Sequence, residues 1–331
     1  MTVSDSTDHD TDTEVHDFPA LKVMERQTPP LRYGRPPYWR APITPPTQDI
    51  YLPNWNWSSP LEFPEGEPVT VLDVNAAHLE ALGETTIAHS QLTHTGRFPR
   101  LPSSEDIAPG YYRISVPYWA FEGTIVHPLG DAASLQSEPS LWIAAPTLTL
   151  LVELEAEGHL GWLEILDSWT AEISCDFTSW ADRLCSLRGE RLDALALATT
   201  EEARARENAL WDAFQRGYSD ALDLMATGVR SYTRRPDWTH AVRAQRAAAT
   251  WRKAWRWTFT GRPLVAMTSV AEISVFSSDV PTVMKRPTPP FQLDPTGREV
   301  GAFRPTKVTF PGESVQLADT LTTLDDTEDA L

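Results

Sequence analysis

The stretch Val69-Thr70-Val71-Leu72-Asp73-Val74-Asn75-Ala76-Ala77-His78-Leu79 holds the side chain with the clearest chemical potential in this chain. An apolar run ends in a carboxylate, and a short helical pattern follows. Asp73, at the end of a buried strand beside a helix start, occupies the kind of position where metal or phosphate sites are built. A plainer reading stands beside it: a strand-end aspartate that caps the helix after it.

A second chemistry is suggested by cations. Between Arg230 and Arg262 the chain carries Arg230, Arg234, Arg235, Arg243, Arg246, Arg252, Lys253, Arg256 and Arg262 against the lone acid Asp237. In a helix over roughly 239–257, Ala241, Ala244, Ala248, Trp251 and Trp255 form one apolar stripe, and Arg243, Arg246, Lys253 and Arg256 fall on the opposite arc. Such an arc is either a solvated face with intramolecular acid partners or a surface for nucleic-acid phosphates. Trp251 and Trp255 read as core. Trp238 is expected to be more open, beside Arg234 and Arg235 at the helix start, where an aromatic ring can stack on a base. His9, His16, His89, His94 and His127 have no ligand-like spacing, and the sequence contains neither a phosphate-binding glycine loop nor a Gly-x-Ser-x-Gly elbow.

The elements that position these residues follow from pattern. Thr70–Asp73 reads as a strand and Ala76–Leu82 as a helix stopped by Gly83. Gly110–Val116 alternates as a half-buried strand, Leu141–Ile143 is a strand, and Pro146 opens a helix that Gly158 ends. Trp162–Leu166 reads as a further strand. Thr199-x-x-Glu202 predicts a capping box for a helix ending at Gly228, and Asp237 or Thr239 caps the next one. Leu264–Met267 with Ile273–Phe276 predicts a tight hairpin.

The chain has 331 residues, 41% of them hydrophobic, enough for a sizeable core. Its formal charge of −18 argues against nucleic-acid binding as an average, yet the acids concentrate at the ends. Residues 1–20 and 313–331 are expected to be acidic disordered tails. Residues 21–68 form a proline-rich aromatic arm, expected to lie extended over the body because Tyr33, Tyr38, Trp39, Trp55 and Trp57 need burial. The folded domain is assigned to 69–312. Cys175 and Cys185, ten residues apart, complete no zinc site and read as buried free thiols of a reducing cytoplasm. No apolar run approaches the length of a membrane span and no basic-then-apolar leader opens the chain, which is expected to be cytoplasmic.

The order strand-Asp73, long insertion, Leu141-Trp142-Ile143 strand, helix, Glu164-Ile165-Leu166-Asp167 strand, two helices and hairpin resembles the palm of protein-primed family B DNA polymerases, the branch found in small bacteriophages. Arg235-Pro236-Asp237-Trp238 stands where the helix leading into the catalytic hairpin begins. Asp294-Pro295-Thr296-Gly297 with Val300-Gly301-Ala302-Phe303 is similar to the segment following that hairpin, so the resemblance spans about Val69 to Phe310. It implies an α+β fold: a palm-like antiparallel sheet packed with helices.

The resemblance also shows what is missing. Polymerase chemistry needs two divalent metals held by carboxylates from two strands. Where the family reads Asp-Thr-Asp-Ser, this chain reads Met267-Thr268-Ser269-Val270. Glu272 lies two or three residues further on, a step that generally changes the face. Phe214-Gln215-Arg216-Gly217-Tyr218-Ser219-Asp220 lacks the family's phosphate-gripping lysine, His78 replaces the residue packing beneath the nucleotide sugar, and little but the arm precedes Val69, which leaves no room for a proofreading domain.

With the hairpin acids absent, the cap reading of Asp73 takes precedence. The resemblance therefore implies a non-catalytic, polymerase-like protein of a bacterial mobile element, linear replicon or phage. Such a protein would bind DNA, through Arg234, Arg235, Trp238, Arg243, Arg246, Lys253 and Arg256, or a terminal or replication protein, and would need no cofactor. The rival readings are a minimal nucleotidyl transferase using Asp73, Glu272 and Mg²⁺, and a protein-interaction scaffold.

Overall fold

A computed structural model describes residues 49–64, 66–130, 135, 140–227 and 235–309. The tails, most of the arm and Arg234 lie outside the described residues. At the centre is a five-stranded antiparallel sheet in the order β1-β9-β10-β2-β11. Its strands are β1 (Trp57–Ser58), β2 (Val69–Val74), β9 (Ala266–Met267), β10 (Glu272–Phe276) and β11 (Phe303–Thr309). The β-branched Val-Thr-Val run of β2 suits a strand hydrogen-bonded on both sides. The predicted hairpin is present as β9 and β10, paired through Ala266 and Ser274.

A second antiparallel sheet runs β4-β7-β5-β6, built from β4 (Leu92–His94), β5 (Gly110–Ser115), β6 (Ser140–Ala144) and β7 (Ile165–Ala171). Short strands β3 (Thr86–Ala88) and β8 (Ser174–Asp176) pair beside it. Helices α1 (Ala77–Glu84), α2 (Ala145–Ala156), α3 (Thr178–Leu197), α4 (Glu201–Thr227), α5 (Pro236–Thr258) and α6 (Asp279–Met284) pack against these sheets. The fold is thus α+β with antiparallel sheets, as the resemblance implies.

Helix α5 is the hub. Ala244, Ala247, Ala248 and Ala254 are small enough for neighbours to approach on several sides, and all are buried. Trp251 and Trp255 join the main core with Leu72, Ile143 and Leu151. A second core gathers α1, α3, α4 and the start of α5 around Leu79, Trp180, Phe214 and Trp238. Buried indoles find backbone acceptors: Trp251 Nε1 donates to Val126 O at 3.1 Å and Trp119 Nε1 to Ile125 O at 3.1 Å.

The last part of the arm belongs to this body. Ile50 bridges Trp142, Trp55 is buried with its indole on His127 O, and Trp57 pairs with Met267.

Several local expectations shift. Helix α1 runs through Gly83 to Glu84 and ends where Thr85 Oγ1 donates to Ala81 O at 2.5 Å. Thr200, not Thr199, caps α4, its Oγ1 accepting from Ala203 N at 3.2 Å. Neither Asp237 nor Thr239 caps α5: Asp237 holds Arg235, and Thr239 Oγ1 donates to Leu222 O. Pro236, preset for a first helical turn, opens that helix instead. Strand β7 begins at Ile165, leaving Trp162 in the preceding loop.

Candidate functional site

Asp73 lies near the end of β2, between two partners. Across one edge it faces Glu272 of β10; across the other it faces Arg304 of β11. Directly opposed residues share a face of the sheet with their Cβ atoms about 5 Å apart. Glu272 therefore does not turn away, as its distance along the hairpin had suggested. Val74 N donates to Ala271 O at 3.0 Å, and this contact carries the start of β10 into line with Asp73. Glu272 also accepts from Thr268 Oγ1 at 3.2 Å.

Arg304 is the participant that the sequence reading missed. Its Nη2 donates to Asp73 Oδ2 at 3.5 Å. Only strand register reveals this partner, and the alternation of β11 is too weak to supply one: five consecutive residues, Arg304–Val308, are exposed. Burial raises the Asp73 carboxyl above its ordinary pKa, while the nearby positive charges of Arg304 and Arg246 oppose that shift.

Asp73 caps nothing. Helix α1 starts at Ala77 without a side-chain cap, and Ala76 before it has a left-handed backbone with φ 50°. The 294–302 segment imposes this turn. Asn75 N donates to Ala302 O at 2.8 Å, Asn75 O accepts from Gly301 N at 2.8 Å, and Asn75 Nδ2 donates to Asp294 O at 3.2 Å. Gly301 itself has φ 81°, and a methyl group there would collide with the Glu80 carboxylate.

A two-metal centre does not fit these residues. Met267 is a buried apolar residue of β9, and the Ser269 hydroxyl accepts from Ala271 N at 3.2 Å. Among the described residues no group of three or more His, Cys, Asp or Glu side chains converges on one point. The Arg304 guanidinium stands 3.5 Å from Asp73 Oδ2, where a metal-binding carboxylate would need free oxygens. His78 next to it is neutral: Arg246 Nη1 donates to its Nε2 at 3.0 Å, and burial with the charges of Arg246 and Arg243 lowers its pKa to about 3.

The predicted cationic arc is largely engaged within the fold. Lys253 Nζ contacts both oxygens of Glu80, at 2.6 and 2.7 Å, and Gly301 O at 2.8 Å. Arg243 pairs with Asp223 at 2.6 Å, and Arg252, on the same helix, with Glu153 at 2.8 Å. Arg235 is buried, bonded to Asp237 at 2.6 Å and to Ala88 O at 2.6 Å. Trp238 is not open: it is 2% exposed and donates to Ala88 O at 2.7 Å, with Arg235 4.5 Å from the ring centroid. Of the predicted contact residues, Arg243 and Arg256 stand exposed on α5. Acids distant in sequence thus balance the charge run, because α1, α2 and α4 all pack on this helix.

Arg216 on α4 is exposed and near Asp220. Cys175 and Cys185 are free thiols, half-buried rather than fully buried. No described helix is long and apolar enough to cross a membrane.

No protein-family model and no curated protein matches this sequence. The fold, however, is similar to solved structures. Phi29 DNA polymerase complexed with primer-template DNA and incoming nucleotide substrates aligns with a TM-score of 0.52 and 14% identity, over 79% of this chain and 47% of the polymerase chain. Phi29 DNA polymerase complexed with primer-template DNA in its post-translocation form gives 0.53 and 14% over 80% and 47%. This chain thus spans just under half the length of those polymerase chains. What it shares with them at this identity is a fold.

Proposed function

We propose that this chain is a polymerase-shaped protein that binds DNA, or a partner in DNA replication such as a terminal protein, without catalysing nucleotide transfer. The carrying observation is the pairing of Asp73 with Arg304 at the place where the fold would bind metal. The cross-strand neighbours Glu272, Asp73 and Arg304 sum to one net negative charge, and Arg246 brings the total to zero. A site of that balance offers little attraction to two divalent cations. The DNA in the similar Phi29 complexes supports nucleic acid as the ligand. In this reading the cytoplasm of a bacterium carrying a mobile element, linear replicon or phage is where the protein works.

Primer extension and protein deoxynucleotidylation with Mg²⁺ or Mn²⁺ test the proposal. Wild type and Asp73→Ala are expected to be equally inactive. Incorporation that disappears in the variant would establish the rival nucleotidyl transferase, with Asp73 and Glu272 as metal ligands. DNA retention is expected to weaken steeply between about 50 and 200 mM salt, as contacts to phosphates do; a flat response would remove nucleic acid and leave a protein scaffold.

A further inference from the structure

The cations of α5 are mostly used internally, but a different surface combines free charge with bare aromatic rings. Residues 97–101 and 162–165 wall a groove of about 340 Å³, together with Glu155. Trp162 lines it and is 81% exposed. The chain has 13 tryptophans, and among the described residues no other stands in solvent to this degree. Tyr118, 75% exposed, lies alongside, its carbonyl accepting from Gly161 N at 2.9 Å.

Trp119 and Leu160 form a β-bridge and both are buried, as is Leu163, whereas Tyr118 and Trp162 beside them stand exposed. The groove also carries Arg97, fixed by an ion pair to Glu164, and Arg100, which is exposed and makes no ion pair or side-chain hydrogen bond among the described residues.

One exposed indole and a small groove are undersized for a standard protein interface, which buries about 800 Å² per partner. They suit one or two bases. Flat aromatic faces beside arginines are the chemistry of single-stranded nucleic-acid recognition, and a duplex keeps its base faces stacked inside. We propose that this groove holds unpaired bases of single-stranded DNA, with a base stacked on Trp162 and an adjoining phosphate paired with Arg100. Arg97, held by Glu164, forms the wall beside it, and Glu155 accepts from a base N–H. The proposal rests on the DNA-binding reading above and adds to it a strand type and a place.

Fluorescence anisotropy of a labelled oligo-dT, with a duplex of equal length as control, tests it on the full chain. Trp162→Ala is expected to weaken oligo-dT binding about tenfold, with duplex binding and melting temperature unchanged and Trp162→Phe largely restoring affinity. Arg100→Ala should lower the salt slope by about 0.7. Oligo-dT affinity unaltered in Trp162→Ala would overturn the groove while the DNA-binding reading stands. Failure of the wild type to bind either DNA overturns both. Loss of a co-purifying protein from Trp162→Ala, with oligo-dT affinity intact, would replace the proposal with a protein-docking surface.

Discussion

Asp73 illustrates how one side chain can keep its place in a fold while changing its electrostatic role. Its pKa is raised in the native state, because burial outweighs the opposing arginines. The sign follows: relative to the unfolded chain this group costs nothing below 3.8, and the cost grows as pH rises through the raised folded value. Asp73→Asn is therefore expected to melt at or above wild type at pH 7, with the gain vanishing as the pH approaches 3.8. A clear loss of stability at pH 7 in denaturant titrations would show that the Arg304 pair dominates instead. The sequence disclosed Asp73 and the missing hairpin acids directly, because residue type alone carries both. It could not disclose Arg304, whose approach depends on the register of a strand with little alternation.

At the scale of the element, α5 shows why a charged helical arc is an ambiguous signal. Its stripe of Ala241, Ala244, Ala248, Trp251 and Trp255 is buried as its spacing predicts, yet Ala247, Ala249 and Trp257 on other sides are buried too. Alanine all round a helix allows close neighbours all round, and those neighbours bring Glu80, Glu153 and Asp223 to its cations. The pairs differ in burial. Lys253 and Glu80 have side chains 13% and 16% exposed, against 43% for both Arg243 and Asp223. Lys253→Ala is expected to cost roughly 3 kcal/mol by stranding Glu80. Arg243→Ala should cost less than about 1 kcal/mol. Equal losses in urea unfolding would contradict this ranking. Helix α3 escaped the sequence reading for the converse reason: only Trp180, Ala181, Leu184 and Arg188 are buried, and Gly189 follows them, so its apolar stripe is short. Arg188 there donates to Arg298 O at 2.8 Å, which ties the segment after the hairpin to a helix far from it in sequence.

Across the whole molecule, three histidines are held neutral in different parts of the fold. His127 accepts from Leu129 N at 2.9 Å and donates to Pro117 O at 3.0 Å, and burial lowers its pKa to about 4. His240 bonds Tyr111 at 2.8 Å; burial and then Arg243 lower it to about 4. His78 is lowered to about 3. In the unfolded chain all three would protonate near 6.5. Stability from this source is complete above 6.5 and declines as pH falls toward 4, with a limiting slope of about 1.4 kcal/mol per pH unit for each histidine. Unfolding free energies measured between pH 7 and 4 should show this decline, and His127→Gln should flatten it. A level profile would show that these rings do not titrate on unfolding. Several main strands were legible from apolar runs and alternation, and their antiparallel class from the resemblance in their order. The packing of arm residues Trp55 and Trp57 into the body was foreshadowed by their need for burial; the bridge of Ile50 to Trp142 and the sheet to which β1 belongs were not.

Strand β11 forms one border of its sheet, and Arg304 travels with it. Removing the guanidinium would leave Asp73 and Glu272 side by side with less positive charge to offset them. The protein thus carries this counterion on an edge strand. In Arg304→Ala, added Mn²⁺ is expected to raise the melting temperature where it leaves wild type unaffected; identical responses would mean that the arginine does not guard these oxygens.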